Sequence, residues 1–211
     1  MKFSIERNSF LSCLAHVQNV VEQRPTVPIL SNILITANSS KLILSATDMD
    51  LSIIENVDSS VIEEGSVTTP AHTLYDIVRK IPEGNEIELI SNDGNKLSLR
   101  SGSSKFSLSC LPKDDFPKIN QDALENEFNL NSEDLKKIID KTKFAVSNEE
   151  TRYYLNGIYI HAIDENNKKK LRAVATDGHR LAKFETTLPQ DANKIPGIII
   201  PKKTINEVRK I

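Results

Sequence analysis

The chain has 211 residues, 38% of them hydrophobic and 27% charged, with no tryptophan and a formal net charge of −2. That is enough chain for one or two domains with a real core, and the near-neutral balance excludes a strongly basic nucleic-acid binder. No apolar run reaches the length of a membrane span or a signal-peptide core, and Cys13 and Cys110, isolated from each other, fit packed thiols in a reducing cytoplasm better than a disulfide framework. The overall charge hides an asymmetry. Residues 1–125 hold 11 basic and 17 acidic residues (net −6), and residues 126–211 hold 16 and 12 (net +4). Such an imbalance points to a polyanionic partner and fits solvated surfaces of differing sign equally well.

Phe3 and Ile5 alternate with polar residues and predict a short strand. Phe10, Leu11, Leu14, Val17, Val20 and Val21 recur at helical spacing, with Asn8 or Ser9 as the N-cap. The proline-containing stretch Arg24-Pro25-Thr26-Val27-Pro28 ends that helix. Three strands follow, at 33–37, 42–47 and 51–57. The pattern then restarts. A strand at 66–69 leads to a helix carrying Leu74, Ile77, Val78 and Ile81, stopped by Pro82. Strands at 86–90, 96–100 and 105–111 follow, the first two joined by the turn sequence Asn92-Asp93-Gly94-Asn95. A third round opens with a strand near Glu127-Phe128-Asn129-Leu130. Its helix is capped by Ser132 and carries Leu135, Ile138 and Ile139, and its strands lie at 155–163, 171–176 and 181–186, with Lys168-Lys169-Lys170 in a solvated hairpin turn. A fourth opens with Gly197-Ile198-Ile199-Ile200 and continues into Thr204-Ile205-Asn206-Glu207, which matches a capping box.

The repeating unit is therefore a strand, a helix and three strands, recurring every ~60–70 residues, longer than solenoid repeats. Residue echoes pair the units in twos: Phe3-Ser4-Ile5 with Phe128-Asn129-Leu130, Ala46-Thr47-Asp48 with Ala175-Thr176-Asp177, and Pro70 to Leu74 with Pro201 to Ile205. Two modules of normal domain size result, joined by a linker at 117–126. The second module stops after its second helix. An unpaired sheet edge and an uncovered helix face are liabilities, so the expectation is a truncated chain or one completed by a partner.

Phosphate-binding loops of the GxGxxG and GxxxxGK[ST] kinds are missing, and the four histidines have no metal-ligand spacing. Asp177 and His179 flank Gly178. They admit an acid–base reading, but Asp-Gly is a turn dipeptide and no nucleophile accompanies them. Arg152-Tyr153-Tyr154 has two readings: a rim of core packing with surface hydroxyls, or a patch that stacks on bases and pairs with phosphate. Phe106 and Leu108 share one face of a strand, either toward the core or at an edge that pairs with another subunit. Lys202 and Lys203 stand at a helix start, where acidic residues are preferred, which favours a polyanion nearby.

Six motifs, in order, carry a resemblance. They are Met1-Lys2-Phe3, Arg24 to Leu30, Ala46-Thr47-Asp48, Phe106-Ser107-Leu108-Ser109, Arg152-Tyr153-Tyr154-Leu155-Asn156-Gly157 and Ala175 to Leu181. Spread over nearly the whole chain, they resemble the N-terminal portion of the bacterial sliding clamp family, the beta subunit of the replicative DNA polymerase. The resemblance implies an α+β DNA-clamp fold with helices on an inner face and antiparallel sheets outside. Residues 1–120 would form domain one, and 127–211 an incomplete domain two; a third domain is absent. It implies a non-catalytic processivity factor of the cytoplasm, without cofactor, metal or membrane. Two subunits join head to tail around double-stranded DNA and tether the polymerase. Carried over as DNA contacts are Arg24, Tyr153 and Tyr154, and Lys202 and Lys203 would join them as residues lining the hole. Thr73 and Glu149 stand where some members have Arg and Gln. Leu155, Thr176, Gly178, His179, Arg180 and Leu181 match one wall of a cleft for a short apolar peptide of the polymerase and clamp-loader subunits. Lys105, Phe106 and Leu108 match the subunit interface. The other reading is a clamp-fold interaction module unable to close a ring.

Overall fold

The alternation at Phe3 and Ile5 builds strand β1 (Lys2–Glu6), with both side chains buried. Helix α1 (Arg7–Gln18) follows directly. Its N-cap is Glu6 rather than Asn8 or Ser9, because the chain turns at the last strand residue. The Glu6 carboxylate accepts the Ser9 amide at 2.7 Å. Val20 and Val21 are buried beyond the helix end. The structure is a computed structural model that describes residues 1–22, 25–118, 127–149, 151–190, 192 and 195–210. The chain divides into two units, Met1–Ile119 and Asn120–Ile211.

In unit one, β2 (Asn32–Asn38), β3 (Lys41–Thr47) and β4 (Ser52–Asp58) form consecutive antiparallel pairs. A further strand, β5 (Ser60–Glu63), follows immediately. Its short Ser-Val-Ile-Glu sequence hid it from pattern reading. It exists because β1 offers it a hydrogen-bonding edge. Then come β6 (Gly65–Pro70), helix α2 (Ala71–Lys80), β7 (Glu86–Ile90), β8 (Lys96–Ser101) and β9 (Ser104–Ser109).

The two sequence units of this module exchange their opening strands. β1 pairs with β7, which belongs to the second repeat, and β6 pairs with β2, which belongs to the first. The sheets run β5-β1-β7-β8-β9 and β4-β3-β2-β6. One core fills the space they share with α1 and α2, built from Phe3, Phe10, Leu14, Ile35, Leu44, Leu74, Leu89 and Leu99, each fully buried.

Unit two repeats the second of these sheets. Helix α3 (Ser132–Thr142) is capped by Asn131, whose side chain accepts the Glu133 amide, one residue before the expected Ser132. Strands β10 (Gly157–Glu165), β11 (Lys168–Thr176) and β12 (Leu181–Thr187) are followed by β13 (Ile198–Pro201) and helix α4 (Lys202–Val208). The order is β12-β11-β10-β13, the counterpart of β4-β3-β2-β6. Three expectations fail here. Lys168-Lys169-Lys170 belongs to β11, and the turn is Asn166-Asn167, both with positive φ. Thr204 lies inside α4, whose N-cap is Pro201, so there is no capping box. Residues 127–130 form no strand. Their counterpart β1 is held by β5 and β7, and unit two has no equivalent of either among the described residues. Leu130 still packs against the core of Ile138, Ile139, Ile158, Leu171, Ala173 and Ile205.

Candidate functional site

The turn between β11 and β12 is built by its own side chains. The Thr176 hydroxyl donates to the Arg180 carbonyl at 2.7 Å and accepts the Gly178 amide at 3.1 Å. The Asp177 carboxylate accepts the amides of His179 and Arg180, both at 3.0 Å, and the Arg180 Nε–H at 2.9 Å. Gly178 takes φ +89°, the left-handed region in which a Cβ is costly. Those backbone bonds, with the Arg180 guanidinium, hold the Asp177 carboxyl down at about 2. A carboxylate so engaged is a turn-former rather than a general base.

The turn has a full counterpart in unit one, further than the sequence echo reached. Thr47 donates to the Leu51 carbonyl and accepts the Met49 amide, and Asp48 accepts the amides of Asp50 and Leu51. Met49, Asp50 and Leu51 thus occupy the places of Gly178, His179 and Arg180. Their side chains differ while the backbone bonds agree. Met49 stands at φ +80°, where Gly178 is relaxed. Met49→Gly is therefore expected to stabilise unit one by about 0.5–1 kcal/mol in urea unfolding, relief of the left-handed strain outweighing glycine's added unfolded-state entropy.

Across the sheet, Thr176 stands opposite Leu181, which is 64% exposed, too much for a core leucine. Leu155 is half-buried at the end of a 3₁₀ turn (Tyr153–Leu155) that leads into β10. The Arg152 guanidinium lies beside Gly178: a Cβ there would come within 3.7 Å of it. Arg152 also pairs with Glu149 at 2.9 Å. Tyr153 and Tyr154 are 79% and 55% exposed, edge to face at 5.5 Å. That exposure rules out the core-rim reading for Tyr153. Lys202 opens α4, its amide bonded to the Asn156 carbonyl and its ammonium to the Asn148 side chain; Lys203 follows it in the first turn. The structure therefore gathers the residues of the two unit-two groups, 153–155, 176–181 and 202–203, onto neighbouring segments. In unit one, β9 is an edge strand. Leu108 is buried on the core-facing side, Phe106 is 39% exposed on that side, and Lys105 is exposed. The core-facing reading holds for Leu108, and the strand is a sheet edge. Arg24 lies outside the described residues.

The outer face of this sheet carries an ion network. Glu185 accepts from Lys170 at 2.7 Å and from Arg172 Nε at 2.8 Å, and Arg172 also reaches Glu165. Lys170 and Arg172 hold the Glu185 carboxyl down at about 2. Folded-state values below the unfolded ones (~4) mean stability that is present above pH ~4 and lost as pH falls through about 2. The expected result is that the protection factors of the His179 and Arg180 amides, exchange rates relative to the unstructured rate at each pH, hold constant down to pH ~4 and fall as the pH approaches 2. A fall in protection already above pH 5 would contradict it. Among the described residues there is no cluster of three or more metal-ligating side chains and no helix long and apolar enough to cross a membrane.

Comparison with known proteins agrees with this architecture. Residues 1–120 match the family model of the DNA polymerase III beta subunit, N-terminal domain, and residues 129–211 match its central domain. The chain is 50% identical over 212 residues to the beta sliding clamp of Caulobacter vibrioides and 37% identical to that of Escherichia coli K12. All of this chain is covered in both cases, but only 57% and 56% of those relatives. The crystal structure of the Caulobacter crescentus beta sliding clamp superposes with a TM-score of 0.96 at 50% identity, covering 100% of this chain and 56% of that one. The DNA polymerase III subunit beta of Pseudomonas aeruginosa does so at 0.86 and 35%, with the same coverage. The two repeated units with their exchanged strands, and the sequence that builds them, place this chain in the DNA polymerase III beta subunit family, over its N-terminal and central domains.

Proposed function

We propose that the chain is part of a non-catalytic DNA sliding clamp, a processivity factor that encircles duplex DNA and tethers the replicative polymerase and other DNA-processing proteins. The observation that carries this reading is the match of both units, over the full chain, to beta sliding clamps. A ring needs only weak, sequence-independent phosphate contacts, because release requires opening it rather than breaking each contact. That suits a chain of net charge −2 whose DNA contacts are the few residues Arg24, Tyr153, Tyr154, Lys202 and Lys203. Leu155, Thr176 and Leu181, with Gly178, His179 and Arg180 at the turn, form the wall on which an apolar peptide of the polymerase or clamp loader lies. Lys105, Phe106 and Leu108 on β9 meet a second subunit, so that the ring closes head to tail.

The test is topological. A protein carrying this chain should stay on nicked circular duplex and leave once the circle is cut. Equal loss from circles and linear DNA would overturn the reading. One observation favours a second reading for residues 1–211 alone: unit two has a single sheet among the described residues, where unit one has two. These residues by themselves would then be a clamp-fold interaction module. Light scattering separates the two, since a monomer that binds partner peptide and no circular DNA supports the module.

A further inference from the structure

Beside the turn 176–181 is a concave pocket of about 410 Å³, within the ~300–1,000 Å³ typical of ligand sites. Its floor is apolar: Phe144, 56% exposed, and Val146. Phe144 sits in a 3₁₀ turn (Lys143–Ala145) just after α3, and the Arg180 guanidinium lies 5.8 Å from its ring centre. The rim is cationic, with Lys143, Arg180 and Lys202, and Asn148 beside them. Its single carboxylate, Asp140, is held by Arg209 at 2.7 and 3.2 Å. Asp177 balances Arg180, and Asp140, though it also interacts with Lys143, is one carboxylate against three cations, so the lining keeps a cationic excess.

We propose that this pocket takes an acidic side chain of the partner peptide, set next to the apolar anchor on Leu155, Thr176 and Leu181. The proposal rests on the cleft reading above and adds to it a charged position in the ligand. Two arguments support a peptide. Arg180 belongs to both the cleft wall and the pocket, so one extended segment reaches both. The recess also pairs an apolar floor with a cationic rim, the complement of a glutamate's methylene stem and carboxylate. A duplex backbone presents phosphates on a convex surface and has no group for the Phe144 floor.

The experiment titrates the ¹⁵N-labelled chain with two short peptides of leucine and phenylalanine. They differ only in a flanking Glu or its isostere Gln, and binding is read by NMR shifts of the Leu155, Arg180 and Lys143 amides. The Glu peptide should bind about tenfold more tightly at low salt, with the advantage shrinking as salt rises. Lys143→Gln should remove most of that advantage and leave the Gln peptide unchanged, whereas Leu181→Ala should weaken both peptides alike. Equal binding of the two peptides overturns the pocket assignment and leaves the cleft standing. No binding of either peptide overturns both. If Lys143→Gln weakens a short duplex while the Glu advantage persists, the pocket is a nucleic-acid surface and the assignment is overturned.

Discussion

Replacing Gly157 with alanine should destabilise unit two by about 2–3 kcal/mol and loosen the edge of its sheet. A Cβ at this position would lie 2.4 Å from the Ile200 carbonyl oxygen and 2.6 Å from an Ile199 methyl carbon. The first of these is backbone, so it cannot rotate away. β13 would have to move off β10, and the pairs Gly157–Pro201 and Ile158–Ile200 would open. α4 begins directly after β13, and the Lys202 amide is bonded to the Asn156 carbonyl. The displacement therefore carries Lys202 and Lys203 with it. Urea unfolding measures the loss of stability, and hydrogen exchange at the Ile199, Ile200 and Lys202 amides locates it. A variant with wild-type stability and slow exchange there would show that the glycine is not needed for close approach. Under the proposed function, the same variant should also hold DNA less well while keeping unit one intact.

Arg7→Met should cost unit one about 3 kcal/mol. Arg7 is 8% exposed. Its Nε donates to the Val78 carbonyl at 3.2 Å and its Nη2 to the Arg79 carbonyl at 2.8 Å. The Arg79 carbonyl is among the last of α2, which lack a partner within the helix, and the Val78 carbonyl, which already accepts the Ile81 amide at the helix end, gains a second donor in Arg7. Methionine keeps much of the stem's packing and removes the donors, so two charge-assisted bonds worth ~1.5–3 kcal/mol each are lost, while the Val78 carbonyl keeps its bond from the Ile81 amide. Thermal unfolding should show the loss. A Tm within a degree of wild type would mean that water replaces the guanidinium.

Neither residue stood out in the sequence. Arg7 falls before the N-cap that the sequence predicts and has no reading of its own there, and Gly157 is part of a motif without a stated reason. Their roles arise from partners 71 and 72 residues away for Arg7 and about 40 away for Gly157, distances that local patterns do not report.

The repeated strand-helix-strand order, the apolar periodicities of α1, α2 and α3, and the likeness of Thr47-Asp48 to Thr176-Asp177 were all legible from the residues. Each depends on a local rule: alternation on a pleat, three- and four-residue spacing on a helix, or side chains bonding backbone two or three residues ahead. Strand partnership is different. Whether β1 joins β2 or β7 is decided by which edge completes a shared core, and the exchange of opening strands appears only when both repeats are folded together. For the same reason residues 127–130, which look like a strand, are none among the described residues, and 60–63, which do not, are one: a strand needs a neighbour to bond.

The site divides along the same line. Thr176, Asp177 and Gly178 declared a turn in the chain itself, because an aspartate and a glycine in that order bind their own backbone. That Met49 repeats the turn under strain, that Leu181 is left exposed, and that Lys143 and Phe144 share a pocket with Arg180 and Lys202 were settled only by tertiary packing. Exposure and proximity are properties of the assembled sheet and helices, and no spacing along the chain encodes them.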